Sequence, residues 1–403
     1  MPEALDGIKV VDFSWVMVGP MTTRYLADYG ATVVHVESRT HVDLLRTTPP
    51  YKDRRIGIDR AGYFAQYNAN KYGISLDLNH PKGVEVAKKL IAWADVVAES
   101  FTPGTMEKWG LGYEEIKKIK PDIIMFRTCM QGQTGPHRHL PGTGVNLVGL
   151  TGFAHLCGWP DRPPAQPYGP YTDSIAPRFA VAALIAALDY RRKTGKGQLL
   201  DMSQFEAGVN FIAPLMLDYF TNHRVASRMG NRSPYAAPHN AYRCRGEDRW
   251  CTIAVFSDEE WQSLCRAMGN PPWSKDSRFA TFQGRKENED ELDRLIEAWT
   301  IARSAEEVMD RLQREGVPAG VVKTIKDLYE DPQLKYRHYL WTMQHREMGA
   351  FSFPGQACKL SKTPARLRMP SPCLGEHTEY VCRELLGMSE SEFDQLLIEG
   401  VFG

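Results

Sequence analysis

The residues best suited to chemistry in this chain lie in the segment Gly169-Pro170-Tyr171-Thr172-Asp173-Ser174-Ile175-Ala176-Pro177. A proline-rich stretch, 160–170, precedes it, and the strongest helical pattern, 178–192, follows. That helix would gather Phe179, Ala183, Leu184, Ala187 and Leu188 on one face. It would close on Tyr190-Arg191-Arg192-Lys193, a basic end that suits its macrodipole. Asp173 therefore stands at or just before a helix N-terminus, where free N–H groups and the dipole favour negative charge. A carboxylate held ionised there can cap the helix or act as a nucleophile. On this segment alone the capping role is the expected one, because aspartate is a preferred N-cap residue.

The elements around it read as α/β. Residues 8–13 form a strand, Ser14 to Gly19 a loop, and Pro20 suits the first position of a helix over 21–29 that stops at Gly30. A second strand, 31–36, completes a βαβ unit and implies a parallel sheet. The first turn carries Gly19 alone, without G-x-G-x-x-G, so a nicotinamide dinucleotide is rejected. The polar stretch 38–62 reads as a long surface loop, and 74–78, 96–98, 123–127 and 198–202 as further strands. Ligands of open α/β sheets bind beyond the carboxyl ends of the strands, so the loops 14–19, 99–104 and 129–136 should share one crevice. A helix over 203–222 is apolar enough to be buried.

Composition shifts at 224–239, rich in Arg, Ser, Asn, Pro and Gly, which marks a domain boundary. Strands at 241–245 and 250–255 and helices at 258–268, 287–300 and 304–315 make a small α+β domain. The weakly periodic stretch 334–372 reads as an extended return, followed by terminal helices at 378–386 and 390–399. The expected architecture is thus a large domain over 1–223, to which 336–403 returns, and a small inserted domain over 224–335.

Composition also excludes partners. Lys plus Arg equals Asp plus Glu, 49 each, so no global field recruits nucleic acid or a membrane, and an anionic ligand must be met by local basic residues. The N-terminus has no apolar core of a signal sequence, and the longest apolar run, 179–188, falls short of the ~20 residues that span a bilayer. The eight cysteines show no CxxC spacing, so neither a zinc site nor a redox pair is indicated and a cytoplasmic setting is expected.

The order of short motifs along the chain resembles the third family of coenzyme A transferases, the formyl-CoA and carnitine-CoA type. They include Leu5-Asp6-Gly7-Ile8-Lys9-Val10-Val11-Asp12-Phe13, Leu26-Ala27-Asp28-Tyr29-Gly30-Ala31, Asn70-Lys71, Phe101-Thr102-Pro103-Gly104, Gly132-Gln133-Thr134-Gly135-Pro136, Thr194-Gly195-Lys196-Gly197-Gln198 and Gly316-Val317-Pro318-Ala319-Gly320. The resemblance implies a Rossmann-like large domain, an interlocked dimer, and Asp173 as the catalytic aspartate. It implies that coenzyme A is met as an acyl-CoA substrate, with no permanently bound cofactor, by Arg39, Lys71 and Lys108 at the phosphates and by Val16, Met17 and Phe101 along adenine or pantetheine. The N–H groups around Gly132, Gln133 and Gly135 would steady oxyanions.

Relatives that racemise CoA esters carry a histidine after the glycine loop, where this chain reads Gly142-Thr143-Gly144-Val145. A racemase or isomerase and a non-catalytic partner subunit are the alternatives to a transferase. Within the family the similarity runs toward benzylsuccinate CoA-transferase subunits, which pair related chains. With the apolar Trp15-Val16-Met17-Val18 loop, it points to an acceptor bulkier than formate or oxalate, an aryl dicarboxylic acid such as benzylsuccinate, and to succinyl-CoA as donor.

Overall fold

A computed structural model describes residues 3–403. Six parallel strands form the principal sheet: β1 (Lys9–Asp12), β2 (Thr32–Glu37), β3 (Lys71–Ser75), β4 (Val96–Glu99), β5 (Ile124–Cys129) and β6 (Leu199–Ser203). Their order is β3-β2-β1-β4-β5-β6, which places the switch point between β1 and β4. Six helices matter to the site: α1 (Val18–Asp28), α2 (Pro81–Trp93), α3 (Gly144–Leu150), α4 (Tyr171–Thr194), α5 (Gln204–Phe211) and α6 (Ala213–Asn222).

Period-two alternation in the strands sorts the core onto the two sheet faces. Val11 and Val34 pack with Val86 and Leu90 of α2 and with Phe393 and Leu396 near the C-terminus. Their neighbours Val10 and Val33 turn to the opposite face, against Leu26 of α1 and Ala180, Leu184 and Ala187 of α4. By length and composition α4 could cross a membrane, but those small and apolar residues bury one of its faces on the sheet. The 203–222 helix is in fact two helices, α5 and α6, with Ile212 between them and Pro214 in the first turn of the second. No residue of α6 is buried, contrary to the expectation for that stretch.

Three further differences have physical causes. Strand β3 starts at Lys71 rather than 74, because its ladder to β2 pairs Val33 with Lys71. The polar stretch 38–62 is not merely a surface loop. Asp43 and Arg46 within it are buried, and Glu37 joins them: its carboxylate accepts from the Asp43 N–H at 3.0 Å and from Arg46 Nη2 at 2.7 Å. The return segment contains a hairpin, β10 (Leu340–His345) and β11 (Gly349–Pro354), and is tied to α1 through Asp28, which accepts from Asn70 and Gln356, both at 2.6 Å.

Contacts divide the chain into two compact units. The first runs to Ala154 and includes Gln166–Val225 and Lys335–Gly403. The second comprises His155–Ala165 and Ala226–Leu334, so an excursion at 155–165, which sequence reading leaves in the large domain, stands with the small one. The second unit has an antiparallel sheet of β7 (His239–Arg243), β8 (Trp250–Ala254) and β9 (Ala319–Val321), covered by helices around the buried Trp261.

Candidate active site

Helix α4 begins at Tyr171, so Asp173 is the third residue of its first turn and not its cap. Pro170 holds the cap position, and no side chain caps the helix. Pro177 has no N–H to give the Asp173 carbonyl four residues earlier, which removes one bond of the helical ladder there. The Arg178 guanidinium donates to the next carbonyl, that of Ser174.

The Asp173 side chain is 7% exposed, and its Oδ1 is buried without a hydrogen-bond partner. Gly144 of α3 packs directly on it: a Cβ at 144 would fall 2.6 Å from Asp173 Cγ and collide with Oδ1. Burial pushes the carboxyl from 3.8 up to about 6, partly offset by Thr172. The helix N-terminus favours the anion. A carboxylate in this position is poorly solvated, weakly partnered and basic for its type, as a nucleophile requires.

Asp173 lines a cavity of about 820 Å³. Trp15, Met17, Tyr63, Tyr67, Phe101 and Tyr168 supply much of its wall. Among the described residues that line it, Asp173 is the only acid and Arg138 the only base. Trp15 is fixed by its N–H to Ser100 Oγ at 2.9 Å, by Nε1 to the Val36 carbonyl at 3.2 Å, and by an edge contact with Phe101 at 5.4 Å between ring centroids. Tyr63 and Tyr67, one helical turn apart, stack at 6.3 Å. Burial, Tyr63 and Asp173 raise the Tyr67 phenol to about 12, so it stays protonated.

The expected ligand residues separate into three groups. Val16, Met17 and Phe101 line the cavity with Asp173. Arg39 and Lys108 are exposed outside it; Ser38 and Trp109, their chain neighbours, line an adjoining cavity of about 290 Å³ that shares Trp15 and Phe101 with the first.

Lys71 requires correction. It is fully buried and donates to Asp12 Oδ2 at 2.9 Å, the Pro20 carbonyl at 3.0 Å and Asn68 Oδ1 at 2.8 Å. All three of its protons are engaged inside the fold, so it cannot meet a phosphate. The glycine loop also lies apart from Asp173. Gly132 and Gly135 line a separate cavity of about 270 Å³, and the Gln133 N–H is taken by the Asp201 carboxylate at 3.0 Å. The N-terminus of α1, by contrast, has no side-chain cap, and its cap residue Met17 and first residue Val18 line the Asp173 cavity.

Residues 5–378 match the family described as CoA-transferase family III. The chain belongs to CoA-transferase family III. It is an enzyme of that type, acting on CoA thioesters. Among relatives of this family III CoA-transferase, succinyl-CoA–D-citramalate CoA-transferase of Chloroflexus aurantiacus is 33% identical over 98% of this chain and 97% of its own. The beta subunit of succinyl-CoA–L-malate CoA-transferase from the same organism is 32% identical over 97% and 96%. A solved CAIB/BAIF family protein from Brucella suis superposes with a TM-score of 0.87 at 31% identity, covering 96% of this chain and all (100%) of that one.

Gly144 also bears on the racemase alternative. A side chain at 144 would strike Asp173, and no histidine is among the described residues lining the cavity.

Proposed function

We propose that the protein transfers CoA from succinyl-CoA to an aryl-substituted dicarboxylic acid of the benzylsuccinate type, with Asp173 as nucleophile. The observation that carries this reading is the single buried carboxylate with an unpartnered oxygen in a large, mainly apolar cavity. The relatives named above act with succinyl-CoA on acids bearing two carboxylates, which supports the donor and the acceptor class. The aromatic wall supports an aryl substituent, since apolar pockets discriminate strongly by whole rings. Arg138 is suited to the carboxylate of the acceptor that does not react.

The chemistry proceeds in four transfers. The Asp173 carboxylate adds to the donor thioester carbonyl and expels CoA thiolate, leaving a mixed anhydride. The thiolate attacks the aspartyl carbonyl, freeing succinate and forming an aspartyl-CoA thioester. The acceptor carboxylate then attacks that thioester, giving a second anhydride and thiolate again. Thiolate attack on the acceptor carbonyl releases the new CoA ester and regenerates the carboxylate. No proton is gained or lost. Each addition develops an oxyanion, for which the uncapped start of α1 offers backbone donors. Apolar walls exclude the water that would hydrolyse both intermediates.

In this reading the adenosine end of CoA lies in the adjoining cavity, between Trp15 and Trp109, with Arg39 and Lys108 at its phosphates. The Rossmann-like sheet and the interlocked dimer belong to the same proposal. The strand order supports the first. The second is supported by α6, whose exposed Leu217, Tyr219 and Phe220 call for a covering surface from a copy or a related subunit. Eight unpaired cysteines accord with a cytoplasmic setting.

The test is CoA exchange from succinyl-CoA to a panel of acids by the purified protein, alone and with related subunits. An aryl dicarboxylic acid should show the highest catalytic efficiency. Preference for formate or oxalate would overturn the acceptor, and no exchange with any acid would overturn the function.

A further inference from the structure

Val16 has φ +69°, a left-handed backbone that is a true outlier for a β-branched residue. Such conformations persist only where surrounding contacts over-determine them, and they concentrate at functional sites. The contact here is unusual. The Val16 N–H points at both carboxylate oxygens of Asp43, 3.1 Å from each. Asp43 is fully buried, and its Oδ1 also accepts from the Leu45 N–H at 2.9 Å.

Asp43 is in turn held in place. Its own N–H donates to Glu37 Oε1 at 3.0 Å. Glu37 is gripped by Arg46, whose guanidinium lies 3.5 Å from the centroid of the Phe64 ring and reaches Asp59 at 2.6 Å. One carboxylate, anchored from the sheet side, thus ties together two walls of the Asp173 cavity: Val16 on one side, Leu44 and Leu45 on the other. Val16 and Met17 also lead directly into α1, whose uncapped N-terminus meets that cavity.

We propose that Asp43 is a positioning residue of this site: its buried carboxylate holds Val16 in the left-handed conformation and so fixes the cavity wall and the start of α1. Capping the Leu44–Thr47 turn, which Asp43 also does, would not require the Val16 contact. The inference rests on the reading of the Asp173 cavity as the site of CoA transfer.

Glycine adopts φ near +70° as readily as negative φ, so Val16→Gly removes the need for the restraint while leaving Asp43 to its other partners. The experiment is a double-mutant cycle on CoA exchange. Asp43→Asn in the natural background should lower kcat/KM by about 100-fold, the scale of a 1 Å misplacement in a site. In the Val16→Gly background the same change should cost less than about tenfold. An equal loss in both backgrounds overturns the positioning role while the transfer reading stands. Absence of exchange in the natural protein overturns both.

If Asp43→Asn does not fold, amide exchange at Val16 in the intact enzyme decides. Protection like that of the β1 amides is expected, and exchange at the rate of an open loop overturns the proposal.

Discussion

Replacing Asp173 by asparagine should stabilise the resting protein while abolishing transfer. The carboxyl is raised from 3.8 to about 6 by burial, with one oxygen unpartnered. A folded-state pKa above the unfolded value means that the folded protein disfavours the anion. Well below pH 3.8 the acid is protonated in both states and costs nothing. Between pH 4 and about 6 the cost grows, and above that it is complete, at roughly 3 kcal/mol.

Asparagine cannot ionise, so Asp173→Asn should recover up to that amount at pH 8 and only a small part of it at pH 4. For a chain of 403 residues this is a rise in Tm of roughly 3 °C. The assay is thermal unfolding of the wild type and variant across pH 4–8, with CoA exchange measured on the same samples. If Asp173 merely capped the helix, asparagine would serve as well and the two curves would coincide at all pH. A variant less stable than the wild type at pH 8, or a difference independent of pH, would refute the argument from burial.

Three further outcomes follow from the same geometry. The kcat/KM for acyl-CoA should fall tenfold per pH unit below about 6, because transfer needs the ionised Asp173 carboxylate; a flat profile to pH 5 in rate measurements would contradict this. Gly144→Ala should displace the Asp173 carboxyl and cut kcat by about 100-fold or more, whereas retention of full rate would show that the carboxyl tolerates the shift. Lys71→Met should unfold the protein readily, at a cost of about 3–5 kcal/mol in denaturant titration, since it strands the buried Asp12 charge; a raised KM at unchanged stability would return Lys71 to the ligand.

The parallel half of the fold was legible in the sequence because its signals are local. Val10 and Val11 alternate within a β-branched run, and Pro20 and Gly30 sit near the two ends of α1, so β1-α1-β2 could be read directly. Asp173 was legible as an acid near a helix start, but its true place was masked by Pro177. A proline is expected in a first turn, and here it stands seven residues into the helix.

Lys71 was misread because nothing in its neighbourhood distinguishes it from a surface lysine. Its partner Asp12 lies 59 residues away and is brought to it only by the β1-β2-β3 register. Asp43 and Arg46 escaped notice for the same reason, as charged residues in a polar stretch whose common partner Glu37 is supplied by β2. The apolar residues of α6 were legible as residues seeking burial, but a single chain does not provide their cover. Tyr63 and Tyr67 did carry a signal, two aromatic residues at helical spacing, that sequence reading passed over.

The most direct measurement of the central claim is covalent capture. Wild-type protein is incubated with succinyl-CoA, treated with hydroxylamine or borohydride, digested and examined by mass spectrometry. Aspartyl anhydrides and thioesters react with both reagents, so the peptide containing Asp173 should carry the modification, and the same peptide from Asp173→Asn should not. Modification at another acidic residue, with the Asp173 peptide unaltered while exchange proceeds, would contradict the account.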